Sequence, residues 1–142
     1  MAFFEFKEKV LVDSEKLFSA VSKYEEYPEF LHGCRSVTVA RKEPGRAIAE
    51  YVVSIMKEVS YTLEHAENKI KKSIKWTLIE SDFFTKNNGS VDIQEIGAGK
   101  SEVRLAVDVE FKMFIPGFIL KGLVKKSIPH IIDAFESRVK NS

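Results

Sequence analysis

Histidine and cysteine are the side chains best suited to acid–base, metal or thiol chemistry, and in this chain they are few and widely spaced. The 142 residues include three histidines, His32, His65 and His130, and one cysteine, Cys34. A metal site needs ligands at close, regular spacing, and a nucleophile–base site needs a motif such as Gly-x-Ser-x-Gly. Neither pattern is present. We therefore predict no metal site, no cofactor and no catalytic triad.

His130 is the histidine that the sequence pattern brings nearest to an apolar surface. Leu120, Val124 and Ile128 recur at helical spacing and begin an apolar stripe in the last segment of the chain. From the edge of this stripe, His130 could reach a cavity and act there as an acid or a base. A solvated histidine on the flank of the helix is the more common outcome.

The elements that must position these side chains are mostly strands. Apolar and polar residues alternate from Phe4 to Val12 and, most clearly, from Val103 to Met113, as they do in half-buried strands. Similar runs lie between these two, giving about seven strands in all. The segments Asn87-Asn88-Gly89 and Gly97-Ala98-Gly99 predict tight turns between the later strands.

Helical patterns lie near both ends of the chain. After the first strand, Asp13 or Ser14 can cap one short helix, and Pro28 is placed to open a second. A long amphipathic helix follows Pro116. Within it, Arg138 is expected to pair with Asp133 or Glu136 on the same helix.

The composition of the chain indicates the cellular compartment and the kinds of partner to expect. The 22 Lys and Arg nearly balance the 21 Asp and Glu, so the net charge of +1 gives no reason to expect DNA. A single cysteine and the lack of a secretory leader favour a reducing, cytoplasmic setting. No linker or repeat divides the chain, so we expect one domain over residues 1–142.

The order strand, two short helices, six or so strands and a long final helix resembles the START-like, or helix-grip, superfamily. This superfamily includes the polyketide cyclase/dehydrase and lipid-transport proteins. The resemblance covers essentially the whole chain and implies an α+β fold in which a curved antiparallel sheet wraps around the last helix. Two short segments, Tyr27-Pro28-Glu29-Phe30-Leu31 and Ala134-Phe135-Glu136-Ser137-Arg138, look like the coenzyme Q-binding proteins and the ribosome-association toxins.

The resemblance implies a cavity between the sheet and the last helix that holds a hydrophobic small molecule such as a lipid, a quinone or a polyketide-like compound. Residues on the inward faces would line it, and tyrosine hydroxyls could orient a polar group of the ligand. Taken singly, each such residue is more often plain core, because periodicity reports burial and not an empty volume. The implied wall residues are Tyr51, Tyr61, Trp76, Leu105, Val107, Val109, Leu120, Val124 and Ile128.

Three functions follow from these observations. Because catalytic motifs are lacking, we favour a carrier or chaperone that works by enclosing its ligand. The alternative is an enzyme of the cyclase/dehydrase type, in which Tyr or His residues would move protons. A ribosome-associated protein is a second alternative, and the low net charge does not favour it.

The sequence around the corner before the last helix predicts one further contact, with a membrane surface. From Phe114 to Lys126, apolar residues stand beside lysines, the combination that binds an anionic membrane surface. An ordinary strand-to-helix corner, buried against the short helices, is the more common structure for such a segment.

Overall fold

Seven strands form one antiparallel sheet whose inner face carries the apolar residues. The computed structural model describes residues 2–55 and 57–142. The strands lie side by side in the order β1-β7-β6-β5-β4-β3-β2, and all neighbours pair antiparallel. Their bounds are β1 (Ala2–Val10), β2 (Cys34–Glu43), β3 (Arg46–Ile55), β4 (Lys57–Asn68), β5 (Ser73–Ser81), β6 (Phe84–Gly97) and β7 (Lys100–Phe111).

The helices confirm the predicted order and complete the helix-grip fold. Helix α1 spans Ser14–Ser22, a 3-10 helix spans Tyr24–Glu29, and α2 spans Gly117–Lys140. Asp13 caps α1, because its carboxylate accepts a hydrogen bond from the backbone N–H of Lys16 at 3.2 Å. The second short helix is a 3-10 helix, and Pro28 lies near its end instead of at its start.

The C-terminal half of α2 closes the main core. Ile132 and Phe135 are buried there together with residues of α1 and of the sheet. The Phe135 ring meets Tyr27 and Phe30 edge to face, at centroid distances of 5.3 and 5.1 Å. The two end segments singled out in the sequence therefore pack directly against each other.

Arg138 joins the same two segments, and its predicted partners were wrong. Its guanidinium donates hydrogen bonds to Glu29 at 2.6 Å and to Glu26 at 3.1 Å, both in the 3-10 helix. The guanidinium also lies over the Phe30 ring, 4.9 Å from its centroid. Helical spacing alone could not reveal these partners, because they lie more than 100 residues away in sequence.

One predicted turn was also wrong. The segment Asn87-Asn88-Gly89 lies inside β6, and the chain turns before it, between the end of β5 at Ser81 and the start of β6 at Phe84. The turn predicted at Gly97-Ala98-Gly99 is confirmed between β6 and β7, where Gly99 has φ +69°.

Candidate functional site

The six predicted wall residues on strands share the inner face of the sheet. The register shows this for its central row, where His65 of β4 lies opposite Trp76 of β5, Trp76 opposite Gly89 of β6, and Gly89 opposite Val107 of β7. Directly paired residues in a ladder point to the same face. Tyr51 and Val109 are buried on this face, and Tyr61, Trp76, Leu105 and Val107 are half-buried.

The predicted residues of α2 separate into two sets. Leu120 is buried, and Val124 and Ile128 are half-buried, so the stripe is the less exposed side of the helix. His130 is exposed. It lies two positions from both Ile128 and Ile132, which places it on the opposite side of the helix from the stripe. The structure therefore does not bring His130 to the other site residues.

The middle of the inner face is apolar but only partly covered. Among the described residues the buried apolar side chains form three clusters, and Ile132 and Phe135 of α2 belong to the first. Leu120 and Val124, in the N-terminal half of the helix, belong to none of them. We call the half-buried part of the inner face that packs against these clusters the trough; it is lined by Tyr61, Trp76, Leu78, Leu105 and Val107.

Two shallow depressions lie outside the trough. One, of about 260 Å³, is lined by residues that include Phe3, Ser90 and Asp108. The other, of about 190 Å³, lies beside the β5–β6 turn and includes Asp82 and Phe83. Charged side chains border both depressions, so the trough is the better candidate for an apolar ligand.

The residues of the mispredicted turn hold Trp76 in place. The indole N–H of Trp76 donates a hydrogen bond to Oδ1 of Asn87 at 3.2 Å. Gly89 lets the indole lie close to the sheet, since a β carbon at Gly89 would stand 2.3 Å from Cζ2 of Trp76. Asn88 accepts a hydrogen bond from the backbone N–H of Leu78 at 3.1 Å, beyond the last β5–β6 ladder pair. Asn87 is thus a buried polar neighbour of the trough that the turn signal concealed.

His65 lies buried at the edge of the trough and was not among the predicted site residues. Its Nε2 and the Tyr51 hydroxyl are 2.8 Å apart and share a hydrogen bond. The Tyr24 ring stacks on the imidazole at 4.1 Å, with 16° between the planes. Tyr51 in turn stacks on Tyr61, at 5.1 Å. The position of His65 on the inward face of β4, on the same side of the strand as Tyr61 and Leu63, was the sequence signal that could have identified it.

Burial shifts the pKa values in this cluster away from the charged forms. Loss of solvation lowers the pKa of His65 to about 4 and outweighs the nearby carboxylate of Glu67, so the imidazole is neutral at pH 7. Burial likewise raises the pKa of Tyr51 and of Tyr61 well above the usual value for tyrosine. The site therefore offers neutral hydrogen-bonding groups within an apolar wall.

A separate surface surrounds the start of α2. The sequence of this segment is compatible with either membrane binding or a buried strand-to-helix corner. Phe114 is 89% exposed and Phe118 is 79% exposed. Residues 111–132 contain four lysines and no Asp or Glu. We call this the lysine-flanked surface; it consists of Met113, Phe114, Phe118, Ile119 and Leu123 with Lys112, Lys121, Lys125 and Lys126. Among the described residues, no helix is long and apolar enough to cross a bilayer.

Comparisons with known proteins agree on the fold. A sequence model of the family described as polyketide cyclase / dehydrase and lipid transport matches residues 10–136. A START superfamily protein of Mycobacterium smegmatis has a similar structure, with a TM-score of 0.87 at 22% identity over 98% of this chain and 97% of its own. No curated protein sequence matches the chain.

Two further solved structures resemble this one. The Zhui aromatase/cyclase from Streptomyces sp. R1128 has a TM-score of 0.87 at 10% identity, over 98% of this chain and 93% of its own. A protein of Thermus thermophilus has a TM-score of 0.83 at 20% identity, over 99% of this chain and 98% of its own. At these identities the likeness establishes a shared fold, and it confirms the START-like architecture expected from the order of elements.

Proposed function

Since the chain belongs to the polyketide cyclase / dehydrase and lipid transport family, we propose that it binds a hydrophobic small molecule in the trough and acts as a carrier or chaperone. A lipid, a quinone or a polyketide-like compound fits this chemistry. The observation that carries the proposal is the apolar wall on the inner face of the sheet, where Trp76, Leu105 and Val107 are only half-buried. Covering that wall with an apolar ligand is favourable by about 25 cal/mol per Å² removed from water.

The division of α2 into two halves supports binding by enclosure. The C-terminal half is held by Phe135 and Arg138, so the fold keeps a core without a ligand. Leu120 is buried and Val124 half-buried in the N-terminal half, and neither belongs to that core. A ligand would complete the packing there, and it would need no covalent step.

Trp76 provides a direct test, because it is the only tryptophan and it lies in the wall. Titration with decylubiquinone or oleic acid should change its fluorescence saturably. Leu78→Arg, on the inner face, should abolish binding, since it places a charge against an apolar ligand. Thr77→Arg is the matched control, because Thr77 is the exposed neighbour on the outer face. Equal binding by both variants would refute the trough as the site.

The His65–Tyr51 pair favours the cyclase/dehydrase-type enzyme as a second candidate. A neutral imidazole beside a hydroxyl can relay a proton to a bound polyketone. Its lowered pKa makes it a weak base, and this is why we place the carrier first. Loss of turnover in Tyr51→Phe, with ligand affinity unchanged, would reverse that order.

The lysine-flanked surface supports a membrane as the place of ligand exchange. Phe114 and Phe118 can enter the interface while the surrounding lysines attract anionic headgroups, each contributing about 1 kcal/mol. We expect the protein to sediment with phosphatidylcholine vesicles that contain phosphatidylserine, and not with phosphatidylcholine alone.

Variants at the two ends of the molecule make this test specific. Phe114→Ser with Phe118→Ser should abolish sedimentation. Ile70→Ser is the control, because Ile70 is 93% exposed and stands among lysines at the β4–β5 turn, at the opposite end of the sheet. Loss of sedimentation in the control alone would contradict the assignment to α2. A ribosomal partner remains the least favoured alternative, because the net charge is only +1.

A further inference from the structure

His65 carries a buried polar atom with no partner among the described residues. The side chain is 4% exposed, and its Nε2 shares a hydrogen bond with Tyr51. Its Nδ1 is buried and makes no hydrogen bond to any described residue. A neutral imidazole has one donor nitrogen and one acceptor nitrogen, so one hydrogen-bonding function stays unsatisfied in either tautomer. Such groups are rare in buried positions and call for an explanation.

The surroundings of His65 connect this atom to the trough. His65 lies directly opposite Trp76 across the β4–β5 ladder and opposite Ala47 across the β3–β4 ladder. Trp76 is half-buried in the wall, whereas Ala47 is small and buried. Tyr24 covers one face of the imidazole. A ligand that lies along Trp76 therefore comes next to the imidazole.

The charged groups near His65 are already engaged with one another. Glu67 accepts hydrogen bonds from the Tyr24 hydroxyl and from the Arg41 guanidinium. Arg41 also donates to the backbone carbonyl of Ser22 and lies over the Tyr24 ring. This arrangement leaves neutral Tyr51 and His65 as the groups that can meet the polar part of a ligand.

We propose that His65 and Tyr51 form the polar end of the ligand site and bind a hydroxyl or carbonyl oxygen carried by an otherwise apolar ring compound. The inference rests on the proposed function and narrows its ligand class. The imidazole can present either an N–H or a lone pair, because the Tyr51 hydroxyl can donate to Nε2 or accept from it. The flat faces of Trp76 and Tyr61 suit a ring.

The test compares two probes that differ by one oxygen, 2-naphthol and naphthalene. The wild-type protein should bind 2-naphthol about tenfold more tightly than naphthalene, as expected when a buried unpaired group gains its partner. In His65→Phe this ratio should fall to about one, with naphthalene binding retained. Tyr27→Phe is the matched control, since its hydroxyl bonds to the Val21 carbonyl and not to His65; its ratio should equal that of the wild type.

The outcomes separate this inference from the proposed function. If both probes bind with equal affinity to the wild type, or if His65→Phe keeps the preference for 2-naphthol, His65 and Tyr51 are not the polar end of the site. The trough then still stands as an apolar site. If neither probe binds and Trp76 fluorescence does not respond, the proposed function is wrong, and so is the assignment of His65 and Tyr51 as the polar end of the site. Tyr51→Phe provides a second variant should His65→Phe not fold, and it should lower the ratio in the same direction.

Discussion

Gly89 shows how a single residue sets the shape of the apolar wall. A β carbon there would stand 2.3 Å from Trp76 and 2.4 Å from the backbone oxygen of Ala106, so the indole would have to move. We expect Gly89→Ala to lower the free energy of unfolding by about 2 kcal/mol and to shift Trp76 emission. Gly122→Ala is the control, because a β carbon there meets no described atom within 4 Å, and it should be neutral or stabilising by up to about 1 kcal/mol. Urea denaturation followed by Trp76 fluorescence measures both.

His65 predicts a pH dependence of stability. Its pKa falls from 6.5 in the unfolded chain to about 4 in the folded protein, so between these values the unfolded state binds the extra proton. Stability should therefore decrease as the pH falls from 7 to 4, with about 3 kcal/mol of the loss due to this residue. The difference in stability between wild type and His65→Phe at each pH isolates the contribution of the histidine. Parallel stability curves for the two proteins would contradict the assignment.

The individual residues of the site were only partly predictable. The inward positions of Tyr61, Trp76 and Leu105 follow from alternation, because a strand places every second side chain on one face. The role of Asn87 does not follow, since asparagine before glycine is a strong local turn signal, and its pairing with Val109 of β7 and its bond to the Trp76 indole form only in the assembled sheet. The partners of His65 come from a helix and another strand, which spacing within β4 cannot reveal.

At the scale of elements, α2 should behave as two unequal halves. Phe135→Ala removes the ring that packs on Tyr27 and Phe30, and it should lower the free energy of unfolding by about 3 kcal/mol. Leu123→Ala, an exposed position in the other half, should change it by less than about 0.5 kcal/mol. Denaturant unfolding of the two variants measures the contrast. Equal losses would mean that the N-terminal half is packed as tightly as the C-terminal half.

The elements themselves follow well from the sequence. In strands with one solvent-exposed face, apolar residues recur every second position, and in a helix with an apolar stripe they recur about every 3.6 positions. Both periods can be detected in a short stretch of sequence. The contact between the 3-10 helix and the end of α2 was not predicted, because the pairing of Arg138 with Glu26 and Glu29 depends on the closed fold. The exposure of Phe114 and Phe118 also depends on which neighbours cover the corner.

At the scale of the whole molecule, the two ends of the sheet differ in how they are covered. At one end, α1, the 3-10 helix and the last turns of α2 form a filled core around Phe135. At the other end lie the β5–β6 turn and, after the end of β7, the lysine-flanked surface around the start of α2. Under the proposed function, stability and ligand exchange depend on different parts of the helix, so a change at the exposed Phe114 should affect membrane binding more than folding.

Native mass spectrometry of the freshly purified protein, followed by organic extraction, tests ligand binding in the trough most directly. We predict a stoichiometric adduct of an apolar, oxygen-bearing ring compound or lipid that is absent from Leu78→Arg and present in Thr77→Arg. A protein that is empty on isolation, and that takes up no quinone, fatty acid or naphthol when these are added, would contradict the carrier function and show that the inner face is an ordinary core.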